Sequence, residues 1–380
     1  MDVYAVRGEI CCKGGIVFSV ETRHALSLSL RSGVSQGTIF FRWRQGMPCL
    51  YGLPSPIKFN TTTMKFITHL LLLLFLPITL SAQGFPESQT DGKYYTVNGA
   101  KLWTVSFGKG DPLFFIAGGP GGSHYGLRSF DSLSTTNTLV YYDALGRGKS
   151  DTAARVQEYT LERDIEDLEG LRKAMGFSQI NVLGHSYGGV VAQGYAIKYP
   201  EHVKHLILAN TFHSFLMWQA NDDNSNHEIM TNYPEVWDTL MKVREAGAVS
   251  SDPIHQEIYG RVPYGFLYAY NPANFRGRKR KPYPNSFNSA VYYQMVGKDG
   301  DFIVGSDIGT FDYRQQLKSL KMPILIVAGR YDRVAVPWMM VKYKTYCPQA
   351  QFEMFEYSGH NPQVEEPEKE FRIIRAFLGR

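Results

Sequence analysis

The segment Asn181–Val190, NVLGHSYGGV, constrains the fold more than any other stretch of the chain. A hydrophobic run ends at Gly184 and a helix-forming run begins after Ser186, so the serine lies in a tight turn between a strand and a helix. Such a turn strains the serine backbone and brings its neighbours close, which explains the glycines around it. We therefore expect the Ser186 hydroxyl at the carboxyl end of a buried strand, beside a helix N-terminus that favours negative charge.

Strand and helix patterns alternate on either side of this turn. Two alternating strands meet at Asn98-Gly99, a dipeptide typical of hairpins, and Thr160–Met175 has helical spacing with acids early and bases late. The alternation stops after Thr211 and resumes about a hundred residues later with the buried run MPILIVAG. The pattern predicts an α/β fold with a mostly parallel sheet and helices on both faces, interrupted by an insertion.

The N-terminal part of the chain has a different character. Residues 64–82, MKFITHLLLLLFLPITLSA, have the layout of a secretory signal peptide, and the apolar run is shorter than the roughly 20 residues that cross a bilayer. Residues 1–63 show no sustained period and would form either a small module or an extension upstream of the true start at Met64. We predict an exported bacterial protein, periplasmic or secreted, with no permanent membrane span in its mature form.

Charge changes at the same place. Residues 1–63 carry seven Lys/Arg and three Asp/Glu, whereas the chain after residue 82 carries 32 of each. The expected mature protein is formally neutral, which argues against nucleic acid or anionic lipid as a partner. Arg276–Lys281, RGRKRK, is interpreted as a solvated surface. Cys347 is the only cysteine after the signal, so no intramolecular disulfide is expected there.

Two further residues complete a catalytic arrangement with Ser186. A serine hydroxyl needs a base to remove its proton and a third group to orient that base. Asp332, in GRYDRVAVP, and His360, in EYSGHNPQ, each follow a predicted strand, so both side chains can reach the sheet edge where Ser186 lies. Singly, they could be a turn aspartate and a loop histidine. Their order and position together predict a Ser186, Asp332, His360 triad.

The glycine-rich segment AGGPGGSHYG follows the buried run LFFIA. Backbone N–H groups there can face a tetrahedral oxyanion, and we assign that role to Gly119 and to Tyr187, which follows the nucleophile. The alternative is a plain glycine-rich turn. A phosphate-binding loop is disfavoured because no G-K-[ST] follows, and Asp143 is interpreted as a loop-shaping residue.

These motifs resemble the α/β-hydrolase fold and, within it, the proline iminopeptidase family. GGPGG, YYDALGRGKSD, GHSYGG, GRYDRVAVP and SGH occur in the family's order over essentially all of residues 93–380. The resemblance implies a core at 83–211 and 318–380, with a mainly helical cap domain inserted after the sixth strand at 212–317. One departure is Ala117, where the family usually has histidine before the first glycine of GGPG.

The resemblance also implies that cap carboxylates recognise the free amine of a peptide. Glu257, in HQEIYG, is the candidate that matches a family glutamate, with Asp222, Asp223 and Glu228 near the other family position. A carboxylate in a pocket lined by aromatic side chains such as Trp218 would favour an ammonium ion. The alternative is that these aromatics form the core of the cap and that Glu257 is solvated.

The sequence therefore predicts a serine aminopeptidase that releases an N-terminal residue, with proline as a candidate, from short peptides through an acyl-enzyme. The same triad would serve an exported carboxylesterase or amidase, and a non-catalytic binding protein on this fold is a third hypothesis. A small peptide, amide or ester is the expected substrate. No cofactor and no metal are expected.

Overall fold

The computed structural model describes residues 7–12, 16–21, 91–275 and 282–379. The chain divides into two compact units, residues 1–81 and 82–380. Strands β1 (Arg7–Cys12) and β2 (Ile16–Glu21) pair antiparallel in the first unit, in a segment whose sequence shows no sustained period. The predicted signal peptide and the RGRKRK run lie outside the described residues, and export stays a prediction.

The second unit is built on a sheet that has eight strands in the part of the chain described. In chain order the strands are β3 (Lys93–Val97), β4 (Ala100–Gly108), β5 (Pro112–Ile116), β6 (Thr138–Tyr142), β7 (Ile180–His185), β8 (Val203–Ala209), β9 (Ile324–Gly329) and β10 (Gln351–Phe355). Their spatial order is β10-β9-β8-β7-β5-β6-β4-β3. The pairs from β10 to β6 are parallel, whereas β3 and β4 form an antiparallel edge. The predicted mostly parallel sheet is confirmed.

Helices precede and follow these strands. They are α1 (Leu161–Ala174), α2 (Tyr187–Lys198), α3 (Phe215–Asn232), α4 (Pro234–Glu245), α5 (Pro253–Tyr259), α6 (Tyr264–Tyr268), α7 (Ser289–Val296), α8 (Pro337–Val341), α9 (Tyr343–Tyr346), α10 (Pro362–Glu365) and α11 (Pro367–Leu378). A long 3-10 segment, His124–Thr135, joins β5 to β6.

Local sequence signals explain where two of these elements begin. The β3–β4 hairpin turns at Asn98 and Gly99, with φ of 48° and 83°, the left-handed conformations that this dipeptide adopts readily. Helix α1 begins after Thr160, whose side chain accepts a hydrogen bond from the Arg163 N–H. Both predicted features are therefore present.

Both faces of the sheet are covered, which explains why its central strands are hydrophobic without alternation. In β5, Phe114 and Ile116 belong to a core with residues of α1 and α2, whereas Leu113 and Phe115 point to the other face and a core with α11. The sheet thus has helices on both sides, as predicted.

Helices α3 to α7 lie between β8, the sixth strand of the sheet, and β9. We call residues 212–317 the helical insertion. Its helical character and its position after the sixth strand confirm those predictions, while its status as a separate cap domain stays a prediction. Within the described residues, no helix is long and apolar enough to span a membrane.

Candidate active site

Ser186 occupies the turn between β7 and α2 with φ of 57° and ψ of −127°. A non-glycine residue in this region is strained, and such strain persists only where the surroundings fix the backbone. The Ser186 N–H donates to the carbonyl of Ala209 (2.9 Å), and the Thr211 hydroxyl donates to the Ser186 carbonyl (2.6 Å). A Cβ added to Gly188 would lie 2.1 Å from the Ile116 carbonyl oxygen, so this position requires glycine. The chain therefore holds the serine at the carboxyl end of β7.

Asp332 and His360 are hydrogen-bonded to each other, and both are almost completely buried. Asp332 Oδ2 accepts from His360 Nδ1 (2.8 Å) and from Asn210 Nδ2 (2.8 Å). Its Oδ1 accepts from the N–H groups of Val334 and Ala335, each at 2.8 Å. Because Asn210 Nδ2 and the two backbone N–H groups can only donate, the carboxylate acts as an acceptor. The proton of the imidazole then lies on Nδ1, and Nε2 of His360 is left to accept a proton.

His185, the residue directly before Ser186, contacts the backbone and the ring of His360. Its Nε2 lies 2.8 Å from the His360 carbonyl oxygen, and the two rings meet edge to face with centroids 4.8 Å apart. A carbonyl can only accept, so Nε2 of His185 carries the proton. Burial, followed by the proximity of His360, lowers the pKa of His185 to about 3. The His185 side chain is therefore a neutral donor that fixes the His360 backbone.

A buried ion pair connects the two predicted oxyanion elements. Arg147 binds Asp164 through two hydrogen bonds of 2.8 Å and donates from Nε to the Pro120 carbonyl (2.6 Å). The Tyr187 hydroxyl donates to the same Asp164 carboxylate (2.6 Å). Gly119, with φ of 56°, lies directly before Pro120. One charged pair thus connects the glycine-rich loop to the first residue of α2.

A cavity of about 690 Å³ lies beside these residues. Ser186, His360 and Gly119 line it from the core, and Trp218, at 5% exposure, lines it from the helical insertion. Trp218 stacks on Phe212 with centroids 4.7 Å apart. A volume of this order is typical of small-molecule sites.

Two carboxylates of the helical insertion, Asp222 and Asp301, line the same cavity. Asp301 accepts from the Tyr292 hydroxyl at 3.2 Å, while Asp222 Oδ2 is shielded from solvent and has no hydrogen-bond partner among the described residues. Burial raises the pKa of Asp301 to about 6. Burial and then the proximity of Asp301 raise the pKa of Asp222 well above its ordinary value. Burial and the proximity of two acidic groups therefore both oppose a second negative charge in this cavity.

A sequence profile described as the alpha/beta hydrolase fold matches residues 111–367. The chain belongs to the α/β-hydrolase fold family. It is 29% identical to a proline iminopeptidase of Heyndrickxia coagulans over 294 residues, which is 76% of this chain and 98% of the relative. A proline iminopeptidase of Saccharolobus solfataricus is 28% identical over 283 residues, covering 73% of this chain and 87% of the relative.

Solved structures agree on the fold. The crystal structure of a proline iminopeptidase from Mycobacterium smegmatis superposes with a TM-score of 0.62 at 21% identity, covering 76% of this chain and 98% of that chain. A thermophilic esterase from Thermogutta terrifontis gives a TM-score of 0.53 at 22% identity, with coverage of 76% and 98%. The resemblance to proline iminopeptidases is confirmed, and this α/β-hydrolase is a hydrolytic enzyme, serine-type by family.

The structure of this α/β-hydrolase brings most of the predicted site residues together, but Glu257 is an exception. Its side chain is 67% exposed and pairs with Arg261 one helical turn away (3.0 Å), and it does not line the cavity. The assignment of Glu257 as an amine-binding residue is not supported, because α5 turns this side chain toward solvent. Asp301 lies in the cavity instead.

Sequence reasoning missed Asp301 and Asn210. Asp301 lies in KDGDF, outside every recognised motif, and carries no signal of its own. Asn210 had a usable signal: it directly follows β8, the neighbour of the nucleophile strand, and a polar residue at that edge can reach the triad acid.

Proposed function

We propose that this enzyme is a serine aminopeptidase that releases the N-terminal residue, with proline as one candidate, from short peptides through an acyl-enzyme. The observation that carries the proposal is that two carboxylates, Asp222 and Asp301, line the same cavity as Ser186 and His360. An ammonium ion would offset the desolvation that raises the pKa of both carboxyl groups, so the pair favours a cationic group. The names of the curated relatives, proline iminopeptidases, support the same activity.

In the proposed reaction, Ser186 Oγ attacks the carbonyl carbon of the first residue while His360 Nε2 accepts its proton. The carbonyl oxygen becomes negative and is bound by the amide N–H groups of Gly119 and Tyr187. His360 then gives the proton to the leaving amine, and the peptide bond breaks. Water, deprotonated by His360, attacks the acyl-enzyme and frees the amino acid and Ser186. Asp332 stabilises the charged imidazole throughout.

The amine of the substrate would be recognised by the acidic pair. Asp222 Oδ2 is a buried acceptor without a partner, which is costly unless a ligand donor reaches it. Trp218 and Tyr292 line the cavity near these carboxylates and offer aromatic faces to a cation. A free N-terminus would then be required, because acetylation removes both its charge and its donors.

The proposal is tested by measuring kcat/KM on proline-, alanine- and phenylalanine-anilides, each with its amine free or acetylated, beside p-nitrophenyl butyrate. Cleavage of the free-amine anilides that acetylation abolishes is the expected result. If the butyrate ester is hydrolysed and the free anilides are not, the protein is an esterase and the proposal is wrong. If no substrate turns over and a fluorophosphonate does not label Ser186, the serine-hydrolase mechanism fails as well.

Asp222→Asn and Asp301→Asn test the acidic pair directly. Both variants should lose activity on free-amine anilides and keep it on the ester. Asp223→Asn is the matched control, because Asp223 is the next residue on α3 and is exposed. Equal losses in all three variants would contradict amine recognition by the pair.

A further inference from the structure

A short segment of the helical insertion, residues 283–288, lies against the glycine-rich loop that contains Gly119. We call it the strap. Its Ser286 carbonyl accepts from the Ser123 N–H (3.0 Å), and its Asn288 N–H donates to the Gly121 carbonyl (2.9 Å). Gly122 and Phe287 form an antiparallel bridge between these two hydrogen bonds. The strap is therefore paired with the loop as a short piece of β-ladder.

The strap also binds the loop after β6. The Asn285 carbonyl accepts from the Gly148 N–H (2.9 Å), and the side-chain amides of Asn285 and Asn288 both donate to the Gly146 carbonyl (2.8 Å each). Asn285 has φ of 43°, a left-handed conformation that asparagine tolerates. These contacts hold the strap between two loops of the core.

Asp143, at the carboxyl end of β6, connects the strap to the far end of the glycine-rich segment. Its Oδ2 accepts from the Tyr283 hydroxyl (2.8 Å), and its Oδ1 accepts from Nδ1 of His124 (2.7 Å). Tyr283 also stacks on Tyr125 with ring centroids 4.9 Å apart. The residue interpreted from sequence as loop-shaping thus bonds to core and insertion together.

The approach of the strap determines which residues the loop can contain. A Cβ added to Gly121 would lie 2.3 Å from the Asn288 carbonyl oxygen, so any larger residue would separate the two segments. A Cβ added to Gly119 would lie 3.1 Å from the Phe287 ring, which lines the cavity. Gly121 is required by contact with the insertion, whereas its own φ is not in the left-handed region.

We propose that the strap is a positioning element of the oxyanion loop, so that the helical insertion sets the rate of attack by Ser186 as well as access to it. The proposal rests on the proposed function, because it uses the assignment of Gly119 as an oxyanion donor. Oxyanion donors must lie within about 2.7–3.1 Å of the developing charge. A displacement of about 1 Å can cost on the order of 100-fold in rate. The strap supplies backbone pairing directly to this loop, at Gly121 and Ser123.

The test is the second-order rate constant for labelling of Ser186 by an alkyl fluorophosphonate, a probe with no amine and no peptide. Three variants act on the contact: Gly121→Ala from the loop, and Asn285→Gly and Phe287→Ala from the strap. Asn285→Gly removes only the side-chain amide and keeps the left-handed backbone accessible. Tyr199→Phe is the control, because it removes a tyrosine hydroxyl bound to the Glu166 carboxylate (2.7 Å) away from the cavity.

We expect labelling to slow on the order of 10- to 100-fold in Gly121→Ala and by a smaller factor in the strap variants. In Gly121→Ala and Asn285→Gly, kcat on a turned-over substrate should fall while KM changes little, since neither residue lines the cavity. The control should label at the wild-type rate. A purely structural contact would lower the melting temperature and leave the labelling rate of the folded protein unchanged.

The outcomes separate this inference from the proposed function. If the wild-type protein is labelled and the strap variants, still folded, are labelled equally fast, the strap does not position the loop and the inference is overturned. If the wild-type protein is not labelled, the proposed function fails first. Should Gly121→Ala not fold, Asn285→Gly and Phe287→Ala still decide the question.

Discussion

Replacing Asp301 by asparagine should abolish the proposed preference of the enzyme for a free amine. A charge-assisted hydrogen bond contributes about 1.5–3 kcal/mol, which corresponds to a roughly 10- to 150-fold fall in kcat/KM for a free-amine anilide. The same substitution should leave p-nitrophenyl butyrate hydrolysis within about twofold, because the ester carries no ammonium group. Glu257→Gln, on the exposed face of α5, should change neither rate.

The pH dependence gives an independent check. Burial raises the pKa of Asp301 to about 6, so the carboxylate is neutral below that value and binds an ammonium ion only above it. The ratio of kcat/KM for the free-amine substrate to that for the ester cancels the contribution of His360, which both reactions need. This ratio should fall as pH decreases from about 7 to 5 in the wild type. In Asp301→Asn it should stay flat, and a variant that retained the wild-type slope would refute the reasoning.

Three further predictions concern buried groups. His185→Leu removes the donor to the His360 carbonyl and should lower kcat roughly tenfold. The midpoint of the kcat–pH profile should be the same in this variant as in the wild type, because the low pKa of His185 keeps its side chain neutral. Burial raises the pKa of Glu370 to about 8, so its contribution to stability is lost as pH rises from about 4.5 to 8; Glu370→Met should raise the melting temperature more at about pH 9 than at about pH 5. Arg147→Met should cost roughly 3–5 kcal/mol in a denaturant titration, and Asp164→Leu added to it should restore part of the loss.

The strands and the contact between Asp332 and His360 were accessible from sequence because each depends on local signals. Hydrophobic runs mark the buried strands, Thr160 marks the start of α1, and Asp332 and His360 follow strands whose carboxyl ends meet at one edge. In a parallel sheet, position along the chain translates directly into position in space. That regularity made the Asp332–His360 hydrogen bond predictable.

The carboxylates that we propose as the amine-binding residues were not predictable in this way. The helical insertion consists of short helices whose packing is not set by a repeated register, so spacing along the chain does not show which carboxylates face the cavity. Glu257 matched a family position by sequence but lies on the exposed side of α5, whereas Asp301 lies in a loop after α7. The strap could not be predicted from sequence for a related reason. Its contacts with Gly121 and Gly146 join segments more than a hundred residues apart, so they leave no local pattern.

The pairing of residues 283–288 with the glycine-rich loop also limits how such enzymes can be recombined. A chimera that joined this core to the insertion of another α/β-hydrolase would replace Asn285 and Asn288 but keep Gly121 and Gly146, their partners. The Gly146 carbonyl would lose both of its side-chain donors unless the foreign insertion carried amides at these positions. Exchange of substrate specificity between relatives would therefore require the insertion to be transferred together with the glycine-rich loop and the loop after β6.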